Sequence, residues 1–325
     1  MKKGIYLLVI LLMLFFLCEL RASTLQKSII PEEADWVIHF DVEKFSSTQF
    51  GDQLLNNKNI FGLRKKNAKF HDKYQIDILK DINGVTLYGF GKNEKNTVIC
   101  LRGNFDQAYL LGLLADEDSH KEIQHNNFII HTWNSHEFGT FVDDNFVLLA
   151  QNETAIKTAL DVIAGKKANV TTSSLMSYIN KIPSNVFFAA IAKDISEMAE
   201  HEKDVFIFKK TESAIFVLTE EKENVHMRLN FTVKTLEDAK NMESVIRGLI
   251  SLAKMQMEEA RSIEGGVVGG VKRDIWLRLE EIDISTEGKN IRVGLSLPVQ
   301  ELLDIILGKV KFFPFHELTG FNLHP

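Results

Sequence analysis

The sequence predicts an α+β fold made of two similar units, each an antiparallel sheet packed with helices. Three observations carry this reading. Short runs alternate apolar and polar residues between Asn- and Gly-rich turns, amphipathic stretches with helical spacing interrupt them, and the order of elements in residues 23–165 runs again over residues 176–311.

In chain order, residues 34–42 alternate as a strand and residues 43–57 carry helical spacing. Strands at 84–90 and 97–105 flank Gly91-Lys92-Asn93-Glu94-Lys95-Asn96, a composition suited to a hairpin loop. Asp106 is placed to cap a short helix at 108–115. A meander follows, with strands at 121–125, 128–133, 136–142 and 146–151. They are separated by Asn126-Asn127, Asn134-Ser135 and Asp143-Asp144-Asn145. Asn152 and Thr154 then open a helix through Ala155, Leu160, Val162 and Ile163, which Gly165 stops. Residues 166–175 are small and polar without periodicity and read as a linker.

The second unit reads as a strand at 185–192, a helical stretch at 195–202, and strands at 214–219 and 225–233. Thr235 with Glu237 and Asp238 caps the longest helix, whose Leu236, Ala239, Met242, Ile246, Leu249, Ile250, Ala253 and Met257 share a face. Strands at 276–284 and 291–297 and a helix at 299–307 complete it. The endings correspond: Leu160-Asp161-Val162-Ile163-Ala164-Gly165-Lys166 closes the first unit and Leu303-Asp304-Ile305-Ile306-Leu307-Gly308-Lys309 the second. The expected duplication spans about 140 residues, far beyond solenoid periods. Residues 312–325 form an aromatic tail with Phe312-Phe313-Pro314-Phe315 and Phe321, expected to pack back onto the second unit.

Residues 1–22 read as a signal peptide. Lys2 and Lys3 precede an apolar run at 5–18 that is shorter than the roughly 20 residues a spanning helix needs, and small Ala22 offers a cleavage point before Ser23. Leu20 is larger than the residue usually found three places before a cut. An uncleaved segment would instead tether the chain to a membrane, as in an assembly factor. Lipidation of Cys18 is disfavoured because Phe16 and Leu17 stand where small residues are required.

Cleavage removes three basic side chains and one acidic, so the formal charge moves from −6 to −8. A mildly acidic domain lacks the cationic face that nucleic acid requires, and no integral membrane domain is expected after cleavage. Cys100 is then the lone cysteine, which excludes an intramolecular disulfide.

Several segments together resemble an uncharacterised family of exported bacterial proteins. They are Pro31-x-x-Ala34-Asp35-Trp36-Val37-x-His39-x-Asp41-Val42, Val85-Thr86-Leu87-Tyr88-Gly89, Leu101-Arg102-Gly103-Asn104-Phe105-Asp106, Ile130-His131-x-Trp133 and Ala159-Leu160-Asp161-Val162-x-Ala164-Gly165-Lys166. The resemblance implies export and architecture, and no activity travels with it.

Four residues are candidates for chemistry: His39, Asp41, His131 and His136. His39 and Asp41 share a strand face and would make an acid/base pair if a third group joined them, but the favoured reading is a hydrogen bond from His39 to the following helix. Among His120, His125, His131 and His136, a two-residue Asn134-Ser135 turn would set His131 and His136 diagonally on one face. His125, opposite Phe128, would point away and leave no third ligand, so no metal centre is assigned. Cys100 sits among apolar strand neighbours and reads as a buried thiol. Gly265-Gly266-Val267-Val268-Gly269-Gly270 follows a helix and lacks Gly-Lys-Ser/Thr, so it reads as a connector. Asp143-Asp144, Glu220-Glu221 and Glu280-Glu281-x-Asp283 lack calcium-loop spacing. No cofactor is assigned.

The leading expectation is an exported, periplasmic or extracellular, non-enzymatic binding or structural protein of the cell envelope, with an unknown ligand or protein partner. Its rival is an extracytoplasmic hydrolase with an unrecognised site.

Overall fold

The computed structural model describes residues 25–57, 63–91, 94–134, 136–198, 209–263 and 281–307. The signal segment, the glycine run at 265–270 and the aromatic tail at 312–325 lie outside the described residues. Twelve strands form one antiparallel sheet, confirming the α+β class.

Strand β1 (Trp36–Asp41) leads into helices α1 (Val42–Ser47) and α2 (Gln49–Asn56), then α3 (Leu63–Tyr74), α4 (Ile78–Asp81), β2 (Ile82–Gly89) and β3 (Thr97–Gly103). Helix α5 (Gln107–Ala115), capped by Asp106 as expected, precedes the meander β4 (Lys121–His125), β5 (Phe128–Asn134), β6 (Glu137–Asp143) and β7 (Phe146–Ala150), which α6 (Glu153–Ile163) closes. The remainder is α7 (Leu175–Ile179), β8 (Val186–Lys193), α8 (Ile195–Met198), β9 (Thr211–Glu221), β10 (Asn224–Val233), α9 (Leu236–Ile263), β11 (Asp283–Glu287), β12 (Asn290–Pro298) and α10 (Val299–Ile306). The spatial order is β11-β12-β10-β9-β8-β1-β2-β3-β7-β6-β5-β4.

The order β1-β2-β3-β7-β6 in one half recurs as β8-β9-β10-β12-β11 in the other, and the halves join through antiparallel pairing of β1 with β8. The closing helices break the correspondence. Leu160 of α6 lies in the cluster with Val37, Tyr88, Val98 and Cys100, whereas Leu303 of α10 lies with Phe40, Val85, Leu87 and Ile99. Successive strand residues point to opposite faces, so these two helices cover opposite faces of the sheet. Central strands are therefore covered twice, and all eight residues of β2 are buried. A third cluster sets Ala239 and Met242 of α9 on Phe231, Val233, Ile284 and Ile291.

Two local departures from the sequence reading have clear causes. The helix expected over 43–57 breaks at Thr48, whose extended backbone (ψ 156°) lets its hydroxyl accept from Gly51 N at 2.9 Å and start α2 anew. At that corner a Cβ on residue 51 would sit 1.9 Å from the Phe45 carbonyl oxygen, so only glycine fits. Residues 166–175 are also fastened to the sheet's flank. Asn169 bridges Pro31, Val170 N donates to Ile30 O at 2.7 Å, and the Val170 side chain is fully buried. Gly165 supplies the expected left-handed stop, with φ +70°.

Cys100 is buried beside Tyr88, and burial pushes its thiol well above the usual range despite the lowering influences of Tyr88 and Arg102. The folded chain without residues 1–22, in which Cys100 is the lone cysteine, therefore leaves an aromatic disulfide reagent unconsumed at pH 8, and denaturant restores the Cys100 reaction. Rapid native reaction of Cys100 would contradict this packing.

Candidate functional site

The four residues singled out in the sequence do not meet. His39 lies in mid-β1, buried between β2 and β8, with Nδ1 2.8 Å from the hydroxyl of its register partner Thr86. Asp41 ends β1 and begins α1. Its Oδ1 accepts from Lys44 N at 2.9 Å, Oδ2 lies 3.3 Å from Lys44 Nζ, and the carboxylate is 1% exposed. Lys44 Nζ also donates to the carbonyls of Ser184 and Val186, at 3.0 and 3.2 Å. Asp41 thus caps a helix and, through Lys44, clamps the first half of the chain to the start of β8.

His131 points from the opposite face. Its neighbour Ile130 packs in the cluster of Val37, so alternation turns His131 away from the side that His39 shares with Val37. His136 lies in the β5–β6 turn and is exposed. The expected diagonal of His131 and His136 is not formed, because β5 runs on to Asn134 and the register shifts between Thr132 and Asn134. Thr132 then opposes Phe138, Asn134 opposes Glu137, and His131 opposes Gly139. Trp133 Nε1 donates to Glu137 Oε2 at 2.6 Å across this irregular turn.

His131 instead meets His120 and Glu122. The α5–β4 loop brings His120 Nε2 to 3.0 Å from His131 Nδ1, with 5.3 Å between ring centroids and 15° between ring planes, so the two nitrogens face each other edge to edge. Glu122 is the cross-strand partner of His131 on β4, and its Oε1 lies 3.8 Å from His131 Nδ1. One donor atom from each of the three lies within 4.8 Å of the other two. Two contacts hold the loop: Ser119 Oγ donates to the Trp133 carbonyl, and His120 N donates to Glu117 O at 2.9 Å.

His125 occupies the other face, where Nε2 lies 2.8 Å from Asp161 Oδ1 and Asn126 Nδ2 donates to the same oxygen at 2.8 Å. Partial burial works to raise the Asp161 carboxyl, but the Asn126 and His125 hydrogen bonds and the charges of His125 and Lys167 outweigh it and hold it below the usual range. This contact pins the β4–β5 turn to α6.

Burial lowers the His131 imidazole, His120 lowers it further, and Glu122 opposes both. The folded chain therefore binds fewer protons at His131 than the unfolded chain does. Its contribution to stability is complete above the ordinary value of 6.5 and declines as pH falls through the lowered folded value. Thermal unfolding of chelator-stripped protein between pH 7.5 and 5 should show this acid-side loss, reduced in His131→Gln. An equal loss in that variant would place its origin elsewhere.

No helix among the described residues is long and apolar enough to cross a membrane. No family model and no curated protein matches the chain. The chain is similar to solved structures of TP0453. Crystal form III matches at TM-score 0.47 and 10% identity over 89% of this chain and 100% of that one. Form I matches at 0.45 and 11% over 90% and 100%, and form IV at 0.47 and 10% over 88% and 97%.

Proposed function

We propose that the chain is an exported, non-enzymatic binding protein of the cell envelope. The observation that carries the reading is the use to which its acid/base candidates are put. His39 is bonded to Thr86 inside the sheet and Asp41 caps α1, both away from the face of His131. A hydrolytic site needs such groups gathered around one reacting atom. Export rests on Lys2, Lys3 and the apolar run at 5–18.

Cell fractionation, intact mass and a panel of ester, phosphate and peptide reporters test this together. The expected result is release with exported proteins, a mass beginning at Ser23, and reporter turnover no greater than that of the His39→Gln/His131→Gln double variant. A full-length chain held in the membrane fraction would point to a tethered factor. Turnover lost in the double variant would make the protein a hydrolase.

A further inference from the structure

We infer that His120 Nε2, His131 Nδ1 and Glu122 Oε1 form a binding site for a divalent transition metal of the zinc type. The inference names the ligand class of the binding protein proposed above and rests on that reading only in calling the metal a ligand rather than a catalyst.

The donor set matches the chemistry. Two imidazole nitrogens and one carboxylate oxygen are the ligands zinc takes when three groups come from protein and a fourth position is left open. Nitrogens bound tetrahedrally at about 2.0–2.1 Å from a metal stand about 3.3 Å apart, and the imidazole nitrogens here are 3.0 Å apart. The 3.8 Å from His131 Nδ1 to Glu122 Oε1 requires a small rotamer change in a carboxylate side chain that is 59% exposed and free to make it. Without metal, the two nitrogens share one proton in a hydrogen bond. With metal, a turn of the His120 ring brings both lone pairs onto the ion, and the shared proton passes through solvent to the far nitrogen of the ring that carried it.

The surroundings agree with the donors. His131 is carried by β5, and the Ser119 contact to Trp133 ties the loop bearing His120 to the same strand, so the backbone under two of the three donors is in place before an ion arrives. The ordering cost of binding then falls on the side chains of Glu122 and His120. Its exposure leaves the fourth position facing water. The exposed Asp116, Glu117 and Asp118 on the loop leading to His120 add negative charge that draws cations toward this edge of the sheet.

Zn2+, and Co2+ in its place for spectroscopy, are the probes. The exported protein, stripped with a chelator, is titrated with Zn2+ by calorimetry and thermal shift, and with Co2+ by visible absorption. One metal per chain, a rise in melting temperature and a Co2+ band typical of low coordination are expected. Glu122→Gln, at the protein surface, and His120→Gln, at a half-buried loop position, should each weaken binding by about tenfold or more, while His136→Ala leaves it unchanged. His131→Ala should abolish binding, and the other two variants keep the test decisive if that buried substitution fails to fold. Absence of zinc binding, or binding unaltered by His120→Gln and Glu122→Gln, overturns the site and leaves the non-enzymatic reading intact. Site-dependent binding accompanied by metal-dependent reporter turnover keeps the site and overturns that reading.

Discussion

Replacing Phe45 with alanine should cost about 3–5 kcal/mol of folding stability, the range for deleting a buried phenyl ring. Phe45 is 2% exposed and stands at the centre of an aromatic group. Its ring centroid lies 5.2 Å from Phe40 of β1, 5.6 Å from Phe50 of α2 and 5.4 Å from Phe187 of β8. One side chain on α1 therefore touches the strands by which the two halves join, together with the helix that covers them. The neighbours are themselves held by the sheet and cannot collapse fully into the gap, which places the loss toward the upper end. Urea unfolding followed by circular dichroism and by tryptophan fluorescence should show the same lowered midpoint by both probes. Phe45→Leu should recover most of the loss. A midpoint shift confined to one probe, or a loss of under about 1 kcal/mol, would mean that α1 does not couple the halves.

The second large effect is expected at Asp41. Alanine there removes the cap of α1 and the carboxylate facing Lys44 Nζ, at a cost of about 2–3 kcal/mol. Lys44 keeps its bonds to Ser184 and Val186 and is partly exposed, so the loss stays below that of stranding a fully buried charge. Asn retains a capping oxygen, and Asp41→Asn should restore roughly half the loss. The comparison bears directly on the role of Asp41. A capping residue shows this graded stability series, whereas an acid/base residue would lose a reaction in both variants and leave stability nearly unchanged.

Much of the fold was legible in the sequence because its signals are local. Alternation marked the strands, Asp106, Asn152 and Thr235 announced helix starts, and Gly165 announced a stop. Helix α3 was not read, since Leu63–Tyr74 is mostly charged and polar and presents little apolar stripe. It is tied to the chain beyond it by the buried Asn67, whose side chain bonds Asp77 and Ile78 N. Such a polar anchor has no periodicity to betray it. Leu236, expected on the core face of α9, is 60% exposed because it opens the helix ahead of the packed turns.

The candidate site was half legible. Pairing of His125 with Phe128 across Asn126-Asn127 also places Glu122 opposite His131, so the carboxylate could have been found from register alone. The contact with His120 could not. It depends on a loop folded back over β5 and held by Ser119, a tertiary contact without local pattern. The displacement of His136 likewise follows from a register shift beside Trp133 that strict alternation does not reveal.

Native mass spectrometry of the protein recovered from the exported fraction, beside its His120→Gln variant, tests the central claim most directly. The expected spectrum is a chain beginning at Ser23 that carries one divalent metal ion, with the metal adduct lost in the variant. A chain retaining residues 1–22, or an adduct equally abundant in His120→Gln, would contradict the account of an exported protein that binds its ligand at His120, Glu122 and His131.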